Sequence, residues 1–324
     1  MTFLTQASYK KMRRALNKKI NNGEVTVPHS ASLPFFDKDS RLNFAVWGDP
    51  QVSHYMFARE ASFQSAANDI KNYTTPLDAL VIAGDITENG MKCEYLMTAE
   101  ILNGIADKVK NFLIVPGNHD IRMRFYKKQI KVFSDFLCSV KNGAKLTNNS
   151  YFHTTQINGY MFILLGADRS SFESAYISKK QIKKLDIALA KASLTGKPVF
   201  VINHQTLNKH NGLPFTWQSK GNWRGGIGLQ SKKVQAVFEK YKNVFFITGH
   251  LHYGVSVYSY EDHGRYKCLS APTVGAGNHG TYSPDAQGYI VSVYDDKIIM
   301  RARIFGKGDF VPENIPNSVI RISL

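Results

Sequence analysis

Five apolar runs in this sequence end at, or just before, a polar residue of a type that binds metal ions. Four of these polar residues directly follow a glycine, which permits a tight turn. Short apolar runs of this kind predict buried strands, and polar groups on the loops at strand ends form rigid sites. Carboxylate, amide and imidazole groups together favour a pair of divalent cations over a thiolate site. The five residues are Asp49, Asp85, Asn118, His204 and His250.

The rest of the chain alternates strand and helix patterns from Arg41 onward, which predicts sheets covered by helices. Asn158-Gly159 predicts a hairpin turn, and Ser178 with Gln181 forms a capping box. The late β-rich part predicts a second sheet packed on the first. Predicted helices lie near residues 58–72, 97–105, 123–140, 178–192 and 234–241. Predicted strands are 42–47, 78–83, 111–115, 150–156, 160–166, 198–203, 243–248, 254–260, 265–270, 288–294 and 297–304.

This ordered set of residues resembles the calcineurin-like metallophosphoesterases. That family carries D-x-H, G-D, G-N-H-D or G-N-H-E, a later histidine and G-H-x-H in this order, and the resemblance covers about residues 49–252. It implies an α/β fold (α+β by some schemes), a four-layer αββα sandwich of two mixed sheets flanked by helices. It also implies a phosphoesterase that hydrolyses a phosphomonoester or phosphodiester through a metal-bridging hydroxide.

The resemblance also assigns the metal ligands. Asp85 corresponds to the bridging carboxylate, and Asp49 and His252 correspond to ligands of the first ion. The spacing of the two histidines in G-H-x-H puts both on one face of an extended segment, so that both reach the metal pair. The ligands implied for the second ion are Asn118, His204 and His250.

Two further residues acquire catalytic roles from the resemblance. His119 corresponds to the histidine that protonates the leaving group, and Asp120 corresponds to the carboxylate that orients it. Gln51 departs from the family, which usually has histidine there, although some members carry this D-x-Q form. A glutamine oxygen is a weaker donor than imidazole, so we expect Mn or Fe, with Zn, Ni and Mg as alternatives, as the two ions.

Motif details narrow the group within the family. The second motif lacks the arginine of calcineurin-type protein phosphatases, and Glu88 stands where purple acid phosphatases have tyrosine. The remainder is most similar to bacterial cyclic-nucleotide phosphodiesterases and broad-specificity phosphoesterases. The long loop 205–228 is a candidate lid or binding loop, and Trp217, Trp223 and Arg224 are its candidate contacts to the substrate.

The composition of the chain limits where the protein acts and how it is divided into domains. The chain has 324 residues, a net charge of +16 and three widely spaced cysteines, which favour a reducing compartment and argue against a disulfide framework. No apolar stretch predicts a signal peptide or a membrane span, so we expect a cytoplasmic protein. We predict a basic appendage over residues 1–40, with a short helix near 9–20, and a catalytic domain over 41–324.

Two other functions remain open at this point. The first is a metal-dependent nuclease, because related nucleases use the same ligand set and this chain is basic. The second is a catalytically weak scaffold that binds metal and a partner without hydrolysis. The histidines outside the motifs are expected to be surface or core residues; they are His54, His153, His210, His263 and His279.

Overall fold

A computed structural model describes residues 3–27, 34, 36–123, 125–144, 151–217 and 225–324. The first sheet has seven strands, which are β1 (Leu42–Trp47), β2 (Ala79–Ile82), β3 (Phe112–Ile114), β10 (Gln287–Val293), β11 (Lys297–Ile304), β12 (Asp309–Phe310) and β13 (Val319–Ser323). Their order across the sheet is β12-β11-β10-β1-β2-β3, and β13 pairs with β11 outside this path.

The second sheet has six strands, which are β4 (Phe152–Ile157), β5 (Tyr160–Leu165), β6 (Val199–Ile202), β7 (Val244–Thr248), β8 (Tyr260–Asp262) and β9 (Tyr266–Ser270). Their order across the sheet is β4-β5-β6-β7-β9-β8. The β4–β5 hairpin turns at Asn158 and Gly159, both with positive φ, as their sequence predicts.

Helices lie on the outer faces of both sheets, so the predicted four-layer sandwich is confirmed. The helices are α1 (Phe3–Asn21), α2 (Ala58–Lys71), α3 (Lys92–Asn103), α4 (Asn118–Ile121), α5 (Tyr126–Ser139), α6 (Lys179–Ser193) and α7 (Ser231–Phe238). Ser178 Oγ accepts a hydrogen bond from the Gln181 amide and caps α6. The other half of the predicted capping box does not form, because the Ser178 amide donates to Asp168 and the Gln181 side chain bonds Gly166 and Asp168.

Alternate residues of the strands build the core between the layers. In β5, Phe162 faces the first sheet, whereas Ile163 packs under α6 and α7. Phe44 of β1 meets Phe162 and Phe200 of the second sheet, with ring centroids 5.5 and 5.0 Å away. This aromatic contact fixes the two sheets against each other, and therefore fixes the relative positions of their strand ends.

The amino-terminal helix packs on the rest of the chain. Met12 and Leu16 are buried against the core, and Arg13 forms an ion pair with Glu100 of α3 at 3.4 Å. The helix is longer than the predicted segment 9–20, and Gly23 with φ +74° follows it. Packing of these side chains accounts for the amphipathic pattern of the segment.

Two sequence predictions differ from the structure. Residues 254–259 form turns instead of the predicted strand, because the Ser256 amide donates to Ser259 Oγ and the Ser259 amide donates back to the Ser256 carbonyl. The late strands also do not form a separate sheet. Instead β10 pairs antiparallel with β1 and extends the first sheet, while β8 and β9 complete the second.

In the described part of the chain, no helix has both the length and the apolar character needed to cross a bilayer.

Candidate metal centre

Ends of parallel strands from both sheets meet at one edge of the sandwich. In the first sheet β1, β2 and β3 run parallel, and the loops after them carry Asp49, Asp85 and Asn118. In the second sheet β6 and β7 run parallel and lead to His204 and His250. Parallel strands place their carboxyl ends at the same edge, so the five residues converge although they are far apart in sequence.

The backbone of these loops is held in an unusual conformation. Five of the candidate ligands have positive φ angles, which side chains other than glycine adopt at a cost of order 1 kcal/mol. Gly117 allows a close approach, because a Cβ atom there would lie 2.1 Å from Asp85 Oδ1. The surrounding hydrogen bonds therefore hold the loops in a strained arrangement. The five are Asp49 (48°), Gln51 (40°), Asp85 (47°), His250 (72°) and His252 (51°).

Around His204 several lone-pair atoms face one another. His204 Nδ1 lies 2.7 Å from the carbonyl of Ala83 and donates to it, which leaves the lone pair on Nε2. Asn118 Oδ1, Asp85 Oδ2 and His250 Nδ1 lie 3.1, 3.2 and 3.0 Å from this Nε2. Lone pairs this close repel one another unless a proton or a metal ion lies between them.

A second group lies beside the first and shares Asp85 with it. His252 Nε2 is 3.2 Å from Asp49 Oδ1, and Gln51 Nε2 is 3.3 Å from Asp85 Oδ2. The ligand atoms of Asp49, Asp85 and His252 all lie within 4.8 Å of one another, as do those of Asp85, His204 and His250. Two adjacent groups that share one carboxylate match the arrangement needed to hold two ions.

The chemistry of the buried atoms fits metal ions. Among the described residues, Asp49 Oδ1 and Gln51 Oε1 are buried oxygens that accept no hydrogen bond. Burial of an oxygen without a partner costs about 1–3 kcal/mol, which a bound cation offsets. The oxygen and imidazole donors suit Mn, Fe or Zn, and the described residues around the centre include no thiol.

The charges of the metal-free site are strongly coupled. Burial alone would lower the pKa of His204, but the carboxylates of Asp85 and Asp49 raise it to about 9. Burial together with the charge on His204 lowers the pKa of His250 well below its usual value. The site therefore draws in positive charge, as a proton or as metal, at the position between the carboxylates.

His119 lies next to this centre and lines the same cavity. Its Nε2 is 3.8 Å from Asp85 Oδ2, and its Nδ1 is 2.9 Å from the backbone carbonyl of Glu88. Burial would lower the pKa of His119, but Asp85 and Glu88 raise it to about 9. Arg122 Nη2 also approaches Nδ1 at 2.8 Å. A protonated ring donates a hydrogen bond from Nδ1, and a guanidinium can also only donate, so these two groups do not bond to each other. We therefore assign the Glu88 carbonyl as the acceptor for Nδ1–H, and nearby carboxylates as the partners of the Arg122 guanidinium.

Asp120 contacts groups other than His119, which differs from the role expected from the sequence. Its carboxylate accepts hydrogen bonds from the amides of Ile86, Thr87 and Gly117 and from two hydroxyls. These five donors occupy the carboxylate, so Glu88 takes the position beside His119. Asp120 instead ties the loop after β2 to the loop after β3 and so positions Asp85 against Asn118.

The cavity above the centre has a volume of about 210 Å³. Trp217 stacks on His250, with ring centroids 4.4 Å apart and planes inclined by 25°. The predicted contact residue Trp217 therefore does line the site, whereas Trp223 and Arg224 lie outside the described residues. The lining residues are Gln51, Asp85, His119, Glu173, Trp217, His250, Leu251 and His252.

Sequence reasoning missed three charged residues beside the cavity. Arg122 Nη1 forms an ion pair with Glu173 at 3.2 Å, and Arg122 Nη2 lies 3.7 Å from Glu88. Glu173 also accepts a hydrogen bond from Asn118 Nδ2 at 2.9 Å, which turns the Asn118 oxygen toward His204. Arg122 follows the third motif closely and could have been found there. Glu173 lies in a stretch with no pattern that separates it from other surface acids.

The remaining histidines have ordinary partners in most cases. His54 contacts Glu94 at 2.9 Å, and His153 lies in β4 without a role at the centre. His279 is closer to the site, because its amide donates to the His252 carbonyl and its ring contacts the Thr216 carbonyl. It therefore bridges the G-H-x-H segment and the loop that carries Trp217.

The sequence is similar to a known family and to one curated protein. The family described as calcineurin-like phosphoesterase matches residues 42–254. A protein from Ruthia magnifica subsp. Calyptogena magnifica, described as a probable cyclic nucleotide phosphodiesterase, is 25% identical over 187 residues. The match covers 57% of this chain and 65% of that relative, so just under two thirds of its length is spanned.

Two solved structures are similar in fold. A dimetal phosphatase from Danio rerio superposes with a TM-score of 0.60 at 13% identity, and the match covers 88% of this chain and 99% of that chain. The purple acid phosphatase PPD1 from yellow lupin (Lupinus luteus) gives a TM-score of 0.59 at 14% identity. That second match covers 87% of this chain and 53% of the lupin chain. At these identities the likeness supports the fold alone.

Proposed function

The chain belongs to the calcineurin-like phosphoesterase family, and we propose that it is a metal-dependent phosphoric ester hydrolase whose two ions bind at the shared-carboxylate centre, with His119 as the general acid. The observation that carries this proposal is the convergence of lone pairs at His204 Nε2, beside two buried oxygens that lack hydrogen-bond partners. The proposed ligands are Asp49, Gln51, Asp85, Asn118, His204, His250 and His252.

The metal ions and His119 would have different roles in the reaction. When bound, the ions would stabilise the negative charge that develops on the phosphoryl oxygens. His119 holds a proton on Nε2 at the cavity wall, while the Glu88 carbonyl holds the opposite ring nitrogen in place. Nε2 can donate its proton to the departing oxygen of the ester, which contributes about 10²–10⁴-fold to the rate.

We propose a phosphodiester as the preferred substrate class. The curated relative is described as a probable cyclic nucleotide phosphodiesterase, and this supports a diester here. The cavity lining also includes Glu173, whose charge is offset by its ion pair with Arg122. Trp217 lines the cavity, stacks on His250 and offers an aromatic surface to the group attached to phosphorus.

Hydrolysis of two nitrophenyl esters tests this proposal directly. The protein would be stripped of metal and assayed with bis-p-nitrophenyl phosphate and p-nitrophenyl phosphate, after Mn²⁺, Fe²⁺, Ni²⁺, Zn²⁺ or Mg²⁺ is added back. We expect turnover only with metal, and a higher kcat/KM for the diester. Faster hydrolysis of the monoester would overturn the diester proposal but not the centre itself.

The same assay, with oligonucleotides added as a third substrate, distinguishes the other two functions. Strong salt-dependent activity on oligonucleotides, with little turnover of small esters, would favour a nuclease. Two bound ions with no turnover of any ester would favour a scaffold. We also propose a cytoplasmic protein from the cysteine content, and a basic appendage over 1–40 and a catalytic domain over 41–324 from the charge and the strand–helix pattern along the chain.

A further inference from the structure

A second group of metal-ligand side chains lies outside the catalytic centre, on the β8–β9 hairpin. Cys268 of β9 is directly opposite Glu261 of β8, and His263 follows Glu261 by two positions. The hairpin therefore presents these side chains on one face. His210, from the loop after β6, lies against this face, with its ring centroid 4.5 Å from that of His263.

The three donor atoms of this group are close together. One ligand atom each from His210, His263 and Cys268 lies within 4.8 Å of the others. A tetrahedral zinc ion with bonds of about 2.0–2.3 Å requires slightly shorter separations. His263 has an exposed side chain at the hairpin tip, so rotation of its ring can close the remaining distance.

The hydrogen bonds of both histidines suit metal ligands. His210 Nδ1 lies 3.1 Å from the Asn208 carbonyl and donates to it, so the lone pair is on Nε2, where a bound ion would displace the Tyr266 hydroxyl that lies 2.8 Å away. His263 Nε2 lies 3.1 Å from a carboxylate oxygen of Glu261, which leaves the other nitrogen of that ring. A carbonyl or carboxylate that holds one ring nitrogen and leaves the other for the ion is the usual surrounding of a metal-binding histidine.

We propose that Cys268, His210 and His263 bind a zinc-type ion, with Glu261 as the carboxylate that orients His263. A thiolate with two imidazoles prefers a soft or borderline ion, unlike the oxygen-rich catalytic centre. Cys268 is fully buried and carries its proton in the metal-free protein, so binding releases this proton to solvent. The fourth position is left to water.

This ion would fix the loop that forms one wall of the catalytic cavity. His210 begins a segment that reaches Trp217, and Gly212 of this segment already donates to Glu261 at 3.3 Å. A bond from the ion to His210 adds a constraint between the loop and the hairpin. The site would therefore act on the substrate pocket through the position of Trp217, and no residue is shared with the proposed catalytic ligands.

Cobalt binding tests this proposal, because only a cysteine ligand produces thiolate-to-cobalt charge-transfer absorption. The full-length metal-stripped protein would be titrated with Co²⁺, which also enters the catalytic centre but meets no thiol there. We expect the absorption in the wild type and in Cys138→Ser, whose cysteine is exposed. We expect it to be lost in Cys268→Ser.

A second variant keeps the test decisive if Cys268→Ser fails to fold. His263→Asn changes an exposed side chain, and we expect at least about 10-fold weaker cobalt binding at the thiolate site, because even an outer-shell partner contributes that much. Absence of the thiolate band in the wild type would overturn the proposal, and so would its persistence in Cys268→Ser. Equal affinity in His263→Asn would also do so. These side chains would then be held only by stacking of their rings and by the hydrogen bond of the Tyr266 hydroxyl, which lies 2.8 Å from His210 Nε2.

Discussion

The backbone carbonyl of Glu88 lies 2.9 Å from Nδ1 of His119 and leaves the opposite nitrogen of the ring facing the cavity. Because the acceptor belongs to the backbone, the ring keeps this orientation whatever the side chain at position 88 does. The Glu88 carboxylate, 3.4 Å from the same nitrogen, adds a negative charge that favours the imidazolium. Glu88 therefore orients His119 through its backbone carbonyl, and its carboxylate adds to the charge of Asp85, which is the larger cause of the raised pKa of His119.

Replacement of His119 by asparagine should lower turnover without loss of metal. His119 touches Asp85 only through its amide and a 3.8 Å approach, and the substitution leaves the amide in place. We expect kcat to fall by about 10²–10⁴-fold, most for esters with poor leaving groups. Turnover across a series of phenyl esters and bound metal per chain would be measured.

His153→Asn provides the matched control, because His153 is a half-buried histidine of β4 that is not among the residues lining the cavity. Its kinetics should equal those of the wild type. If His119→Asn affected all leaving groups equally and slightly, another group would have to supply the proton.

Replacement of Gln51 by histidine should change the metal preference. Gln51 Oε1 is buried and accepts no hydrogen bond from the described residues, whereas Nε2 donates to Asp85. Imidazole is a stronger donor to Zn²⁺ and Ni²⁺ than an amide oxygen, so we expect activity with these ions to rise relative to Mn²⁺. Activity would be titrated against each metal. Identical metal dependence in both proteins would mean that Gln51 does not bind an ion.

The sequence predicted which side chains come together at the proposed centre, because each run of proposed ligands follows a strand of recognisable apolar pattern. Asp49 and His204 come from different sheets, yet both strand ends were placed correctly from short runs such as 42–47 and 198–203. The structure brings together all seven proposed ligands at the edge where these strands end. Order along the chain was sufficient because parallel strands share one edge.

The parts that sequence reasoning could not reach depend on contacts between loops. Glu88 and Asp120 are both acids near motifs, and only the hydrogen-bond geometry separates the one beside His119 from the one that ties loops together. The pairing of β10 with β1 in the first sheet is a second example. The alternation of apolar residues in 288–294 predicts a strand but does not specify the strand with which it pairs.

Replacement of Trp217 by alanine should weaken catalysis modestly through His250. The stacked rings, 4.4 Å apart, hold the imidazole that faces His204. An aromatic pair contributes about 0.5–1.5 kcal/mol, so we expect kcat/KM to fall by about 2- to 13-fold. Trp217→Phe should recover part of this loss. The control is Phe215→Ala, since Phe215 is 81% exposed, and an equal loss there would assign the effect to the loop as a whole.

Glu60 gives a prediction on stability that is independent of the metals. Its side chain is buried in α2, where Oε1 accepts from the Ser53 amide at 2.8 Å and Oε2 has no partner among the described residues. Burial raises the pKa of Glu60 from 4.5 to about 7. Between these two pH values the folded chain holds a proton that the unfolded chain has lost, so stability falls as the pH rises through this window.

Glu60→Gln should remove this dependence, because the amide resembles the protonated acid. A pKa rise from 4.5 to about 7 corresponds to about 3 kcal/mol, so relative to the wild type the variant should gain up to that amount between about pH 5 and about pH 8. Urea unfolding at the two pH values measures it. Glu313→Gln, at an exposed position, should show no such gain. The contrary outcome is the same pH dependence of the free energy of unfolding in Glu60→Gln and in the wild type. Glu60 would then be ionised in the folded chain, and its Oε2 atom would need a hydrogen-bond partner such as a bound water.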